Sequence, residues 1–310
     1  MKMRFFLFAL AVVFLVPATA QVVEKEAALR SDATKAAEDG WRFGGVSTLN
    51  FAQAYLNNWS AGGENSYSLN GLVSAFASFR RGSFTWDNTL DMGYGFMRQP
   101  TTGFRKTDDR FNLTSRAGYR AFGDFFYSGL VNFRTQFDKG FNFANDPEGL
   151  TPISRFMAPA YLITALGITY QPSTNFSFFL APITCRITIV NDDVLSAAGA
   201  FGVEPGRRTR TEFGGYIRTA FSKNDFEAEW LRNVTFTTQL DLFSNYLHNP
   251  QNLTVNWRTL VALRINRLLA VNVSTNLIYD PNVLIADADG NMATRIQFQQ
   301  LLGVGFSYNF

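Results

Sequence analysis

Gln300-Leu301-Leu302-Gly303-Val304-Gly305-Phe306-Ser307-Tyr308-Asn309-Phe310 ends the chain. Side chains alternate along a strand, so Leu302, Val304, Phe306, Tyr308 and Phe310 share one face. Leu301, Gly303, Gly305, Ser307 and Asn309 share the other. The first face is apolar and extends back through Phe298 and Ile296; the second is mostly small or polar and extends back through Gln297 and Arg295. A strand with lipid on one side and water on the other needs this pattern, and the terminal aromatics mark the closing strand of an outer-membrane β-barrel. Phe306, Tyr308 and Phe310 are therefore the expected insertion signal, read by the barrel-assembly machinery.

The other end of the chain agrees. Lys2 and Arg4 precede an apolar run, Phe5 to Val16, then Pro17 and the small-residue sequence Ala18-Thr19-Ala20. This is the pattern of a secretory signal peptide cut after Ala20. The run is shorter than the ~20 residues a membrane-spanning helix requires. Removing it takes Lys2 and Arg4 from the 28 basic residues, leaving 26 against 25 acidic ones. A mature chain this close to neutral implies no nucleic-acid partner.

Composition narrows the class. The chain is 46% hydrophobic with a mean hydropathy of -0.05, yet it has no second long apolar run, so apolar and polar residues are interleaved. Its abundance of Phe (32) and Gly (24) with a single cysteine fits a disulfide-free secreted β protein. Cys185 shares a strand face with Ile183 and Ile187, which makes it a small lipid-facing hydrophobe.

Alternation along the chain predicts about twelve strands, near 43–56, 66–80, 83–98, 108–122, 125–138, 159–171, 175–190, 208–222, 226–244, 252–266, 269–280 and 294–310. The connections alternate in length. Short ones fall at 81–82, 123–124, 171–174, 223–225 and 267–268; long ones fall at 57–65, 99–107, 139–158, 191–207, 245–251 and 281–293. Bacterial barrels have even strand numbers, short periplasmic turns and long outer loops, so this rhythm supports the count, with ten or fourteen strands as the alternatives. The expected organisation is a signal peptide (1–20), a polar periplasmic leader (21–40) rich in Ala, Glu and Lys, and a transmembrane antiparallel β-barrel (41–310).

Charge at the lipid midplane costs about 2 to 4 kcal/mol per Arg or Lys, so strand arginines must face the lumen. The lumen candidates are Arg110, Arg116, Arg120, Arg134, Arg218, Arg258 and Arg264, together with Asp87, Asp91, Glu212, Glu227, Glu229 and Asp241. They form either a charged pore that selects or binds a small polar solute, or a packed interior of salt-bridged side chains that conducts little. The mixed signs oppose strong selectivity for anions or cations. Trp86, Trp230 and Tyr308 suit a periplasmic aromatic girdle, and Trp257 and Tyr279 an outer one.

Three loop features carry residue types capable of chemistry. His248, within Asn245-Tyr246-Leu247-His248-Asn249-Pro250, has no serine within two residues, which disfavours a lipid hydrolase. Asp280, Asp287 and Asp289 supply carboxylates beside Gly290 for a weak calcium site, but Asp and Gly are also ordinary turn residues. Asn58, Trp59, Gly62 and Gly63 could form a carbohydrate-contacting surface or a tight interfacial loop. No cofactor is expected.

The block Asn58-Trp59-Ser60-Ala61-Gly62-Gly63-Glu64-Asn65, with Trp86-Asp87-Asn88, Leu242-Phe243-Ser244-Asn245-Tyr246, Ile278-Tyr279-Asp280 and the terminal strand, resembles a family of uncharacterised outer-membrane barrels from bacteroidete-type bacteria. The resemblance runs from about Trp41 to Phe310. It implies the fold and the membrane, and brings no activity or catalytic residue with it. The expected function is passive transport or binding of a small polar solute in outer-membrane lipid, with a docking barrel of the envelope as the rival and the oligomeric state open.

Replacing Phe310 with Ser should impair insertion, because it removes the terminal aromatic of the closing strand. Outer-membrane levels of heat-modifiable protein read the effect, and unchanged levels would contradict the insertion signal.

Overall fold

Strands built from alternating apolar and small polar residues leave one face greasy and one polar, and twelve of them pair here in unbroken succession. The structure, a computed structural model, describes residues 39–56, 64–143, 146, 148–173, 175–223, 226–264, 269–286 and 291–306. The long strands are β1 (Gly40–Ala54), β2 (Ser66–Arg81), β3 (Phe84–Gln99), β4 (Gly103–Phe122) and β5 (Phe125–Thr135). They continue, after two short strands β6 (Gly140–Phe141) and β7 (Pro152–Ser154), with β8 (Ala160–Tyr170) and β9 (Phe176–Ile189). A one-turn helix, α1 (Asp193–Ala197), precedes β10 (Thr209–Lys223), β11 (Val234–Asn245), β12 (Leu253–Arg264) and β13 (Leu269–Tyr279). The short β14 (Leu284–Ala286) and β15 (Met292–Thr294) come before β16 (Gln297–Phe306).

Each long strand pairs antiparallel with the next in one 12-stranded sheet, while β6–β7 and β14–β15 are separate two-stranded hairpins. Among the described residues the edges β1 and β16 share no ladder. The sheet is nonetheless strongly curled: Arg116 of β4 reaches Ser177 of β9 at 3.3 Å, three ladders away. The fold is an all-β antiparallel barrel of the outer-membrane type, with twelve strands as expected.

Turn chemistry explains one end. β2–β3 and β4–β5 are joined by two-residue turns in which Gly82 and Gly123 take φ of 55° and 50°, the left-handed region that tight hairpins demand. Most of the opposite end carries longer segments, and by the barrel rule it is the outer one. There Asp109 accepts the N–H groups of Phe137 and Asp138 (2.7 and 2.9 Å) and the Lys106 ammonium (2.6 Å), pinning the start of segment 136–159. Within that segment the Lys139 N–H and the Tyr94 hydroxyl hold the Asp138 carboxyl below the usual carboxylate range. The N–H groups of Thr151 and Leu150 do the same for Asp146.

Two expected boundaries are corrected. The strand expected at 226–244 begins only at Val234, because Glu229–Leu231 form a 3-10 turn in which Leu231 N–H donates to Ala228 O at 2.9 Å. Glu229 and Arg232 stand at the i,i+3 spacing of a helical turn and pair at 3.2 Å, so a short alternating run was compatible with either conformation. The connection expected at 223–225 therefore spans 224–233, and Glu227 and Glu229 lie exposed outside the barrel wall. The outer loop expected at 99–107 is the opposite case. β4 starts at Gly103 and pairs with β3 as far as Gln99, passing Thr107 as a bulge, so only Pro100, Thr101 and Thr102 remain as a turn.

Faces separate cleanly. On β8, Ile163, Ala165 and Thr169 are buried inside while Leu166 (61% exposed) and Ile168 point out, and Leu113, Tyr127, Val131, Leu180, Ile183 and Phe213 extend the outward belt. A continuous apolar belt of this size is untenable in water and is what lipid requires. Among the girdle candidates, Trp86 donates Nε1–H to Ser115 at 2.9 Å and Trp257 to Thr238 at 2.9 Å, so each ring keeps its polar edge paired on the outer surface.

Leu166→Arg should destabilise the barrel by about 2 to 4 kcal/mol, and Phe122→Arg, at the periplasmic end of β4, by about 0 to 1. Urea unfolding from lipid vesicles measures both; equal costs would contradict the depth assignment.

Candidate functional site

The interior is built from residues facing away from the lipid belt. At its middle, Leu130, Ile163, Ala165, Phe179, Ala181, Tyr216 and Phe243, from β5, β8, β9, β10 and β11, form one buried apolar cluster, with Phe179 only 1% exposed. This part of the lumen is filled by side chains packed as in a soluble core.

Polar networks surround the cluster. Asp87 pairs with Arg80 (2.8 Å) and Arg116 (3.3 Å), and Arg116 also reaches across to Ser177. Asp91 accepts from Asn112 (3.3 Å), which accepts in turn from Asn132 (2.7 Å). Asp241 accepts from Arg218 Nε (2.6 Å), the Tyr216 hydroxyl (2.7 Å) and Gln239 (2.8 Å).

A fourth network sits at the outer mouth and centres on Arg186 of β9. Its Nε donates to Glu212 Oε2 at 2.7 Å, its Nη1 to Thr254 (3.1 Å) and Asp280 (3.3 Å), and its guanidinium lies 4.5 Å from the centroid of the Phe243 ring. Glu212 also accepts from Arg210 (3.1 Å) and, through Oε1, from Asn245 (3.2 Å). Asp280 accepts the backbone and side-chain N–H groups of Asn282 at 2.9 and 3.0 Å. Arg186 Nη2 is one of several fully buried side-chain atoms, Arg210 Nε and Thr188 Oγ1 included, that have no hydrogen-bond partner among the described residues.

A cavity of about 230 Å³ opens beside this network, lined by Arg186, Glu212, Phe243, Asn245 and Thr254 below and by His248, Asn249, Asn252, Pro281 and Asn282 above. The upper residues belong to the β11–β12 loop and to the turn that follows β13.

A bulge makes this arrangement possible. β9 sets two residues against one on each side, Ala181 and Pro182 opposite Gly167 of β8, and Pro182 and Ile183 opposite Gly215 of β10. Pro182 has no N–H to contribute to a ladder, so the extra residue falls where it removes least. Before the bulge Phe179 and Ala181 face inward; after it Thr184, Arg186 and Thr188 do. Cys185, unpaired, lies between two of these inward residues and is half-buried on the outward register with Ile183 and Ile187.

Of the lumen candidates, the structure brings Asp87, Asp91, Arg116, Glu212, Arg218 and Asp241 into the networks. Arg258 stands on β12 within electrostatic reach of Asp241, and Arg134 lies 5.8 Å over the Tyr161 ring. Arg110 is exposed toward the outer end, 3.9 Å from Asp108, and Arg120 is exposed at the periplasmic edge over Phe126 (5.2 Å). The Arg264 side chain lies outside the described residues, as do Asn58, Trp59, Gly62, Gly63, Tyr308, Phe310, Asp287 and Asp289; Phe306 ends β16 opposite Leu269. Asp280, the remaining calcium candidate, is taken by Arg186 and Asn282, and no metal-holding group of three His, Cys, Asp or Glu side chains exists among the described residues. Sequence reasoning missed Arg186, Arg210 and the amides of the mouth. The signal for Arg186 was its position between outward-facing Cys185 and Ile187.

Residues 51–141 match the model of a family of proteins of unknown function, DUF3078. No curated protein matches. Similar solved structures include the COG4313 outer membrane channel from Pseudomonas putida F1, 12% identical over 87% of this chain and 97% of that one, with a TM-score of 0.39. The translocator domain of the autotransporter NalP from Neisseria meningitidis is 11% identical over 94% and 100%, with a TM-score of 0.37. The NanC porin is 8% identical over 86% and 98%, with a TM-score of 0.37.

Asp241→Ala would strand the buried Arg218 guanidinium. It should cost about 3 to 5 kcal/mol in urea unfolding, the usual penalty for halving a buried ion pair.

Proposed function

We propose that this chain is an outer-membrane β-barrel of the uncharacterised family matched at 51–141, and that it admits or holds a small polar solute in a charged, constricted interior. The block Asn58 to Asn65 lies within that match. The observation that carries the functional reading is the outer-mouth cavity of about 230 Å³, lined by Arg186 and Glu212 of the buried network and by the amides Asn245, Asn249 and Asn252. The packed cluster and the Arg116–Ser177 crossing below it support narrow, solute-limited passage over an open water-filled pore.

The reading is non-enzymic. His248 shares the cavity mainly with amides, and its one hydroxyl-bearing lining residue is Thr254, so a serine nucleophile with an imidazole base is not what the mouth assembles. Exposed Leu150, Phe156 and Leu247 on the outer segments support a second reading, docking to an envelope partner, which co-purification would reveal.

Planar-bilayer recording of the refolded protein tests passage. The wild type should show small, steady conductance, and Arg116→Ala, which removes the crossing contact with Ser177, should raise it. Silence from both would overturn the passage reading.

A further inference from the structure

The carboxylates of the interior networks all have partners. Asp87 is held by Arg80 and Arg116, Glu212 by Arg186 and Arg210, Asp241 by Arg218, and Asp280 by Arg186. Asp91 accepts from Asn112. An entering cation would have to displace a guanidinium or an amide from any of these carboxylates that it met.

The basic side is different at the outer mouth. Arg134 is the last inward-facing residue of β5, paired in the sheet with Asn112 on one side and Tyr161 on the other. The same row runs on through Thr188 to Arg210, so Arg134 borders the mouth network from its β8 flank. Three guanidinium groups, Arg134, Arg186 and Arg210, stand in electrostatic reach of Tyr161, against the Asp280 carboxylate. Glu212, bonded to two of them, supplies a second negative charge. One positive charge is left over, and Arg134 carries it. Among the described residues it makes no ion pair and no hydrogen bond, and the Tyr161 ring lies 5.8 Å from its guanidinium. Arg110, on the neighbouring strand, has Asp108 beside it at 3.9 Å. The Nε of Arg134 is enclosed, but neither its Nη groups nor the Tyr161 hydroxyl belongs to the fully buried atoms that lack a partner, so these donors stay open to the lumen.

From this we infer that Arg134 and Tyr161 form an entry site for a small monovalent carboxylate, whose oxygens accept from the Arg134 Nη groups and the Tyr161 hydroxyl. A single surplus charge suits a monoanion, and the planar fork of a guanidinium matches the two oxygens of a carboxylate. The phenol adds a neutral donor beside the fork. The packed cluster below the mouth keeps the solute small. The inference rests on the solute-binding reading above and deepens it by naming the chemical class of the ligand. The wall as a whole keeps its mixed signs, so the preference for anions is local and moderate. Weak binding is expected, since a solute must leave a passage as well as enter it.

Saturation-transfer difference NMR on the refolded full chain in detergent tests it, at low ionic strength, where attraction between charges is least screened. The probes are lactate, its neutral amide lactamide, and the similarly sized cation 1-amino-2-propanol. Lactate should bind about fivefold more tightly than lactamide, the scale of one solvent-exposed ion pair. The cation should give no signal. Arg134→Gln should bring lactate down to the level of lactamide, whereas Arg134→Lys, which keeps the charge and loses the fork, should retain part of the preference. Tyr161→Phe removes only the hydroxyl and should weaken lactate binding about threefold, the scale of one neutral hydrogen bond. It serves if Arg134→Gln fails a heat-modifiability check of folding. Equal binding of lactate and lactamide would overturn the inference, as would stronger binding of the cation or a lactate preference unchanged in both Arg134→Gln and Tyr161→Phe. Bilayer conductance of the same preparation separates the two claims: conductance without a lactate preference removes only the ligand assignment, and lactate binding without conductance removes only passage.

Discussion

The constraint on which this structure depends is that a guanidinium cannot face hydrocarbon. Arg186 sits on a strand whose earlier residues place odd-numbered side chains inside, so without a shift in register it would face lipid. The Pro182 bulge supplies the shift. It moves every later residue of β9 by one position and brings Arg186 to Glu212, Thr254 and Asp280, which are 26, 68 and 94 residues away in sequence. One extra residue in one strand therefore decides whether β9, β10, β12 and the turn after β13 share an outer mouth.

The same arithmetic explains how much could be read in advance. Twelve strands were legible because alternation and turn glycines are local signals: Gly82 and Gly123 sit where the hairpins turn, and Leu166 and Ile168 already alternate with Ala165 and Thr169. The run Phe226 to Leu231 failed as a strand because six residues of mixed Glu and apolar character satisfy a 3-10 turn equally well, and nothing local arbitrates. The extension of β4 to Gly103 was hidden by a bulge at Thr107, which breaks the alternation that the reading relied on. Candidate lumen residues could be named from their face alone. Their partners could not, since Arg116 and Ser177 or Arg186 and Asp280 meet only once the sheet has curled.

Energetics give the interior its meaning. A buried ion pair is about neutral in stability against apolar residues of similar volume, and often worse. The molecule shows that it can fill lumen with apolar side chains, since Leu130, Ile163, Phe179 and Tyr216 do so at mid-height. Networks such as Asp87 with Arg80 and Arg116, or Arg186 with Glu212 and Asp280, are thus not the cheapest way to close the space around that cluster.

Position along the barrel separates two kinds of polar network. The Asp241 carboxylate accepts from Arg218, Tyr216 and Gln239, so it is fully satisfied by the protein and holds strands β10 and β11 in register. The Arg186 network is equally crowded on its carboxylate side, and its Arg186 and Glu212 also line the cavity at the mouth. The contrast between a network enclosed in the wall and one that borders a cavity is what a solute-handling barrel needs: rigidity where the wall must hold, and polar groups where the solute arrives.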